Sequence, residues 1–385
     1  MTIDLARKWE ERVMRAAHPV AYPALQLAQR PVQRVPGLGV LVRDAGLLRS
    51  TLMNTASFSK TGPGAPSDLW TPVLGPAVLL NMEGEAHAEL RRRLGPLFAP
   101  KYVDALAARS LGPSVDALSA RLRAGEAIDM VAEARRYASV MISQLVGLDP
   151  SAVDDDELFA RVSSITKFVR LSRPRLTEAQ VDRAKTIVAE LTEHARVAYR
   201  AGDEQTVPGR MRAIGLGEEE AMGAVAAFVL TGTETIVAYI PRLVALLVDT
   251  GWLPQLAADR TLVEPAIAEG LRVTTPSPVM LRSVVADDAI GPVAVRPGDR
   301  VILATFAANR ALGPFDPSAN AAGTLRQLWF GAGSHFCLGA PLAMAQVRLT
   351  VDALLAAGPL EVASRRAARG VLIPSYRSLV VRAAR

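Results

Sequence analysis

A chain of 385 residues, half of them hydrophobic, can bury a substantial core and exceeds the size at which one core usually stops growing. The formal charge of +6 comes from arginines spread along the chain, not gathered into a stripe or tail, which argues against nucleic-acid binding. The single cysteine, Cys337, excludes an internal disulfide and falls short of the roughly four ligands a zinc site needs.

The opening residues, through Arg12, are amphipathic and charged, without a signal-peptide core. The segment to about Pro36 mixes helix-period and proline-rich pieces, and Val40 to Leu52 predicts a strand and a turn. Gly62 to Pro76, rich in Gly, Pro and Ser, reads as a long loop. Helix-period sequence follows from about His87 to Leu122, punctuated by Pro100 and Pro113; within it His87 and Arg91, at i and i+4, share a face. More helices fit Met130 to Leu148, Asp154 to Val169 and Glu178 to Tyr199.

The longest helical run, Glu218 to Val248, is apolar but carries a polar island, Leu230-Thr-Gly-Thr-Glu-Thr235. Buried polar groups cost free energy unless paired, so the island needs a reason. Either the threonines bond back to the helix and Glu234 finds an arginine, or the island has a function. Gly232, Thr233, Glu234 and Arg242 make the run a poor bilayer span, so no membrane and a cytoplasmic location are expected. Pro241 interrupts the helical pattern and should kink it.

Glu264 to Val273 predicts a short helix with Glu269 and Arg272 on one side. From Ser283 to Ala307 the period shortens, with turns at Gly291-Pro292 and Pro297-Gly298. Asn309 to Arg326 is irregular, Ala340 to Ala357 is helical, and Leu372-Ile373 with Leu379 to Val381 suits a closing hairpin. The whole reads as mainly α with small β-sheets.

The most specific segment is Phe330-Gly-Ala-Gly-Ser-His-Phe-Cys-Leu-Gly339, followed by Ala340-Pro341. Gly331, Gly333 and Gly339 permit backbone turns and close approach to a flat ligand. Pro341 suits a first helical turn, which puts Cys337 just ahead of a helix N-terminus, where dipole and free amides favour the metal-binding thiolate. A buried structural thiol is the commoner role for a lone cysteine, but this one lies in a glycine-bracketed loop. A nucleophilic cysteine with His335 as base also stays open.

This loop resembles the signature of the cytochrome P450 haem-thiolate enzymes: Phe, two spaced glycines, His, then Cys-x-Gly. The resemblance implies that Cys337 is the axial ligand of the iron of haem b (iron protoporphyrin IX), with Phe330, Gly331 and Gly339 also binding the cofactor. It makes Glu234 and Thr235 a catalytic acid–alcohol pair, with Gly232 opening a groove for dioxygen. His87, Arg91, Arg282 and His335 would hold the haem propionates. Glu269 and Arg272 would be a buried structural pair whose third partner is not evident, since Ala311 replaces the usual Asp after Asn309-Arg310. Thr231 likewise stands where Ala is usual.

The implied fold places the haem between the long central helix and the helix after the cysteine loop. The chain, 1–385, would form a single domain, β-rich at about 36–60 and 276–307. The implied activity is monooxygenation: dioxygen is activated and a small lipophilic molecule oxidised. Phe228, Val229, Val279, Met280 and the loop from Gly62 to Pro76 are the candidate pocket. No flavin or iron–sulfur module is present in the sequence. Electrons are therefore expected from a separate donor, a ferredoxin with its reductase or a flavoprotein, drawing on NAD(P)H. Arg92 and Arg93 offer a docking patch for an acidic donor. The alternative is a haem-thiolate protein with a non-hydroxylating binding or auxiliary role.

Overall fold

The apolar run that begins at Glu218 forms one helix to Asp249 in the computed structural model, which describes residues 2–148, 154–168, 175–319 and 321–384. Glu218, Glu219 and Glu220 occupy its first turn, where the helix dipole favours negative charge. From Ile236 to Leu247 every side chain is buried, the pattern of a helix enclosed by protein on all sides. This helix and Ala340–Ala357 are long and apolar enough to cross a membrane, but 67% of the apolar window of the first is buried inside the protein. Pro241 does not interrupt it: the helix continues to Asp249.

The helices Met130–Val146, Glu178–Ala201 and Val263–Thr274 pack around this central helix, and Ala340–Ala357 packs against Pro100–Arg123. The predicted helix from Asp154 runs as Asp155–Thr166; its predicted end at Val169 lies outside the described residues.

Strands β1 (Val32–Val35), β2 (Gly39–Val42), β3 (Phe58–Ser59), β5 (Met280–Val284) and β8 (Arg300–Leu303) form a five-stranded sheet in the order β1-β2-β8-β5-β3. Within it β2 and β8 run parallel and the other neighbours antiparallel. β4 (Ile128–Asp129) joins the hairpin of β9 (Leu360–Ala367) and β10 (Tyr376–Ala383), while β6 (Asp288–Ile290) and β7 (Val293–Val295) pair around Gly291-Pro292.

Three expectations change. Val40 to Leu52 is a strand and then a helix, Ala45–Met53, whose N-terminus is capped by the Asp44 carboxylate accepting from the Leu47 amide at 2.9 Å. The loop from Gly62 to Pro76 contains a helix, Pro66–Leu74, because Pro66 stands in the first turn, where its missing N–H costs nothing. Leu372-Ile373 lies in the connection between β9 and β10, not in a strand.

Two buried charge networks tie distant segments together. Arg272 bonds both carboxylate oxygens of Glu269, at 2.7 and 2.5 Å. The missing third partner is backbone: Arg272 also donates to the carbonyls of Asn309, Gly313 and Pro314, and the Asp316 amide donates to Glu269. Arg310 goes elsewhere. With Arg242 it holds Glu10 of the first helix, Thr2–Ala17, against the central helix. Glu10→Gln leaves two buried guanidinium groups without a counter-charge, so a loss of about 3–5 kcal/mol in urea unfolding is expected. Asp4→Asn, which breaks only exposed pairs on the same helix, should stay within about 0.5 kcal/mol.

Candidate active site

The cysteine loop is built by glycines where other residues would be strained. Gly331 and Gly333 have φ of +86° and +70°, and a Cβ on Gly333 would come within 3.0 Å of the Leu52 carbonyl. The Cys337 amide donates to the Phe330 carbonyl at 2.9 Å, closing the loop, and Gly339 then caps Ala340–Ala357. Cys337 lies deep in the protein, yet its surface is not covered by protein atoms, because it faces an internal cavity of about 590 Å³. A Cβ on Gly339 would lie 4.0 Å from the Cys337 Sγ, so glycine keeps the space beside the sulfur clear.

Burial pushes the Cys337 thiol above its ordinary pKa, against the amides of Gly339 and Ala340 and the charges of Arg91 and Lys60, which favour the thiolate. The helix terminus alone does not deprotonate it; a cation bound at sulfur would displace the proton. Among the described residues no group of three or more His, Cys, Asp or Glu side chains could hold a metal ion. A single sulfur ligand suits an ion whose other ligands belong to a cofactor.

His87, Arg91, Arg282 and His335 all line this cavity, as do Phe330, Gly331 and Gly339. His335 Nε2 bonds Glu83 at 2.6 Å, and the Lys60 amide donates to the other oxygen of Glu83 at 2.5 Å. Burial opposes charge on Glu83, but these bonds hold it down to about 2. The Lys60 side chain also faces the cavity, its pKa pushed down to about 8 by burial and then by Arg282. Burial lowers His87 to about 4, with help from His335 and Lys60, so its imidazole is neutral at pH 7.

Arg282 is 3% exposed, its Nε has no partner, and burial lowers it to about 10. Arg91 and His87 make no hydrogen bond or ion pair within the described residues. Each buried donor left unpaired costs about 1–3 kcal/mol, and anionic oxygens in the cavity would satisfy several through charge-assisted bonds. The two propionates of a haem fit that demand.

The central helix forms the opposite wall, with Thr231, Gly232 and Thr235 lining the cavity. Thr231 donates to the Ala227 carbonyl at 2.7 Å; Thr235 is 3.5 Å from the Gly232 carbonyl, too long to hold its proton. Glu234 does not join Thr235 in the cavity lining: its Oε1 accepts from Thr166 at 3.1 Å. Phe228, Val279 and Met280 line the cavity as expected, whereas Val229 is 1% exposed in the core. The segment from Gly62 contributes Gly64, Pro66, Leu69 and Trp70.

Lys60, Glu83, Arg300 and Leu372 were not singled out from sequence. Each is one residue of a strand end or loop, without a spacing that marks it. The one available signal was a charged residue beside a strand, as in Asp299-Arg300-Val-Ile-Leu303. The arginine triplet divides: Arg91 faces the cavity, Arg92 pairs with Glu89 in solvent, and Arg93 bonds Glu220 and the Gly215 carbonyl. Only Arg92 of the expected docking pair faces outward.

A mainly helical fold, with a lone cysteine facing a buried, cation-rimmed cavity below a long central helix, defines a haem-thiolate class of protein. Similarity to known proteins agrees. The chain is 29% identical over 300 residues to mycinamicin IV hydroxylase/epoxidase of Micromonospora griseorubida, covering 72% of this chain and 71% of that one. It is 27% identical over 325 residues to erythromycin C-12 hydroxylase of Saccharopolyspora erythraea, covering 80% and 79%. Among solved structures, P450BioI in complex with an acyl carrier protein superposes with a TM-score of 0.78 at 21% identity, covering 96% of this chain and 99% of that one. No protein-family model matches.

The chain is similar to bacterial cytochrome P450s in sequence and fold, and it is a haem-thiolate monooxygenase that oxidises a small molecule. That similarity replaces the cysteine-nucleophile reading.

Proposed function

We propose that Cys337 binds the iron of haem b, that His87, Arg91, Arg282 and His335 receive its propionates, and that Thr235 and Glu234 deliver protons to dioxygen. The observation that carries this reading is the uncovered Cys337 in a cavity whose rim holds unpaired cationic donors. Haem bound through a thiolate supplies dioxygen binding and reductive O–O cleavage.

The protein's own part is to hold, orient and protonate. Gly331 and Gly339 keep the cysteine face open to a flat group. Thr235 has its hydroxyl proton free to donate toward the cavity, and Glu234, one residue back on the same helix, leaves Thr166, takes a proton from solvent water and passes it on to replace the one Thr235 has given. Leu69, Trp70, Phe228 and Met280 exclude water and favour a lipophilic substrate. The mycinamicin IV and erythromycin hydroxylases named above, and a further relative, the C-19 steroid 1alpha-hydroxylase of Sorangium cellulosum (26% identical over 297 residues), make such molecules the first substrates to try. A separate ferredoxin with its reductase, or a flavoprotein, supplies electrons from NAD(P)H in the cytoplasm, and the whole chain acts as one domain.

Reconstitution with a ferredoxin, its reductase and isotopically labelled dioxygen tests this, with mycinamicin IV and testosterone as probes. A product carrying one labelled oxygen atom is expected; NAD(P)H oxidation with no label in any product would contradict it. Thr235→Ala should keep haem and substrate binding but lose product formation on the order of 10²-fold, with peroxide released instead, since a positioned proton donor contributes about that much. Unchanged coupling of NAD(P)H to product would remove Thr235 from proton delivery.

A further inference from the structure

Arg300 stands apart from the other cations of the cavity. It lines the cavity from β8, but its strand register pairs it with Ser283, whereas Arg282 pairs with Val301. Alternation therefore directs Arg282 and Arg300 to opposite faces of the sheet, and Arg300 reaches the cavity by its own route. That route passes under Gly64, where a Cβ would come within 3.3 Å of the Arg300 Cδ. Gly64 has φ of +74°, so the loop is shaped to let this side chain through.

The Arg300 side chain makes no hydrogen bond or ion pair with any described residue, and its buried Nε is unpaired. Burial depresses its pKa, and no neighbouring carboxylate opposes the effect. By contrast Lys60, Arg282, His335 and Glu83 act on one another as a single cluster. The propionates proposed above answer that cluster and leave Arg300 without a partner. A half-buried guanidinium with a fully covered, unpaired Nε favours an anionic partner, and the same cavity is lined by the apolar side chains of Pro66, Leu69 and Trp70.

We propose that Arg300 binds a carboxylate on the substrate, so that the preferred substrates of this cavity are apolar molecules ending in an acid group. The planar fork of the guanidinium suits two carboxylate oxygens, which fixes the acid end and leaves the apolar body free to reach the cavity between Cys337 and Thr235. The inference rests on the monooxygenase reading of the site.

The test is an optical and calorimetric binding titration of the haem-loaded protein. The probes are dodecanoic, hexadecanoic and lithocholic acids, each against its methyl ester. At least one acid should bind about 10-fold tighter than its own ester or more. Arg300→Gln should erase that difference and Arg300→Lys should keep part of it, while haem content and imidazole affinity stay at parent levels. The proposal is overturned if no acid outbinds its ester, or if the preference survives Arg300→Gln. It is equally overturned if Arg300→Gln sheds haem, because Arg300 would then be holding a propionate. Failure of the underlying reading looks different: the parent protein itself would take up no haem.

Discussion

Cys337→Ala protein is expected to fold normally, lose the thiolate-type carbon monoxide spectrum and form no monooxygenated product. Both halves follow from the geometry. The Cys337 side chain faces the cavity and is not packed into the core, so trimming it removes little buried surface; a stability change within about 1 kcal/mol is expected. The chain has no second cysteine, and of the two histidines that line the cavity, His335 is bonded to the Glu83 carboxylate and His87 packs against the His335 ring at 4.2 Å. Replacement by Ala therefore leaves the iron without a sulfur donor. Urea unfolding, haem content and the reduced carbon monoxide spectrum of the variant separate the two effects. A retained thiolate-type spectrum would remove Cys337 from the iron.

Arg272→Met is expected to be the most damaging single change to the fold. Arg272 is 0% exposed and joins the helix Val263–Thr274 to the segment 309–316 through Glu269 and three backbone carbonyls. Its removal leaves the Glu269 carboxylate buried and uncompensated, a cost of about 3–5 kcal/mol, to which the orphaned carbonyls add. A domain has about 5–15 kcal/mol of stability, so poor soluble yield and little haem incorporation should follow. Replacing both residues, Glu269→Leu with Arg272→Met, removes the stranded charge and should cost less than Arg272→Met alone. A single variant with a parent-like urea midpoint would show that this pair does not hold the segment in place.

What was legible in the sequence is what is encoded locally. Gly331 and Gly333 announce positive φ, Pro341 announces a helix start, and the apolar period from Glu218 announces a core helix; each rule acts within a few residues. The Glu269–Arg272 pair is equally local, but its third partner was invisible, because backbone carbonyls carry no side-chain code. Thr235 was legible as a polar residue in an apolar helix, whereas the turning of Glu234 toward Thr166 depends on a helix far away in sequence. Lys60 and Arg300 meet the cavity, and Glu83 meets His335 behind it, only through sheet register and loop packing. Composition misled at Pro66–Leu74, where proline marked a helix start instead of a loop.

The most direct test of the account is the absorption spectrum of the purified parent protein, reconstituted with haem, reduced with dithionite and exposed to carbon monoxide. Coordination by the Cys337 thiolate predicts a strongly red-shifted Soret band that is absent from Cys337→Ala prepared in parallel. A band in the ordinary position of histidine-ligated haem, or no haem uptake at all, would contradict it.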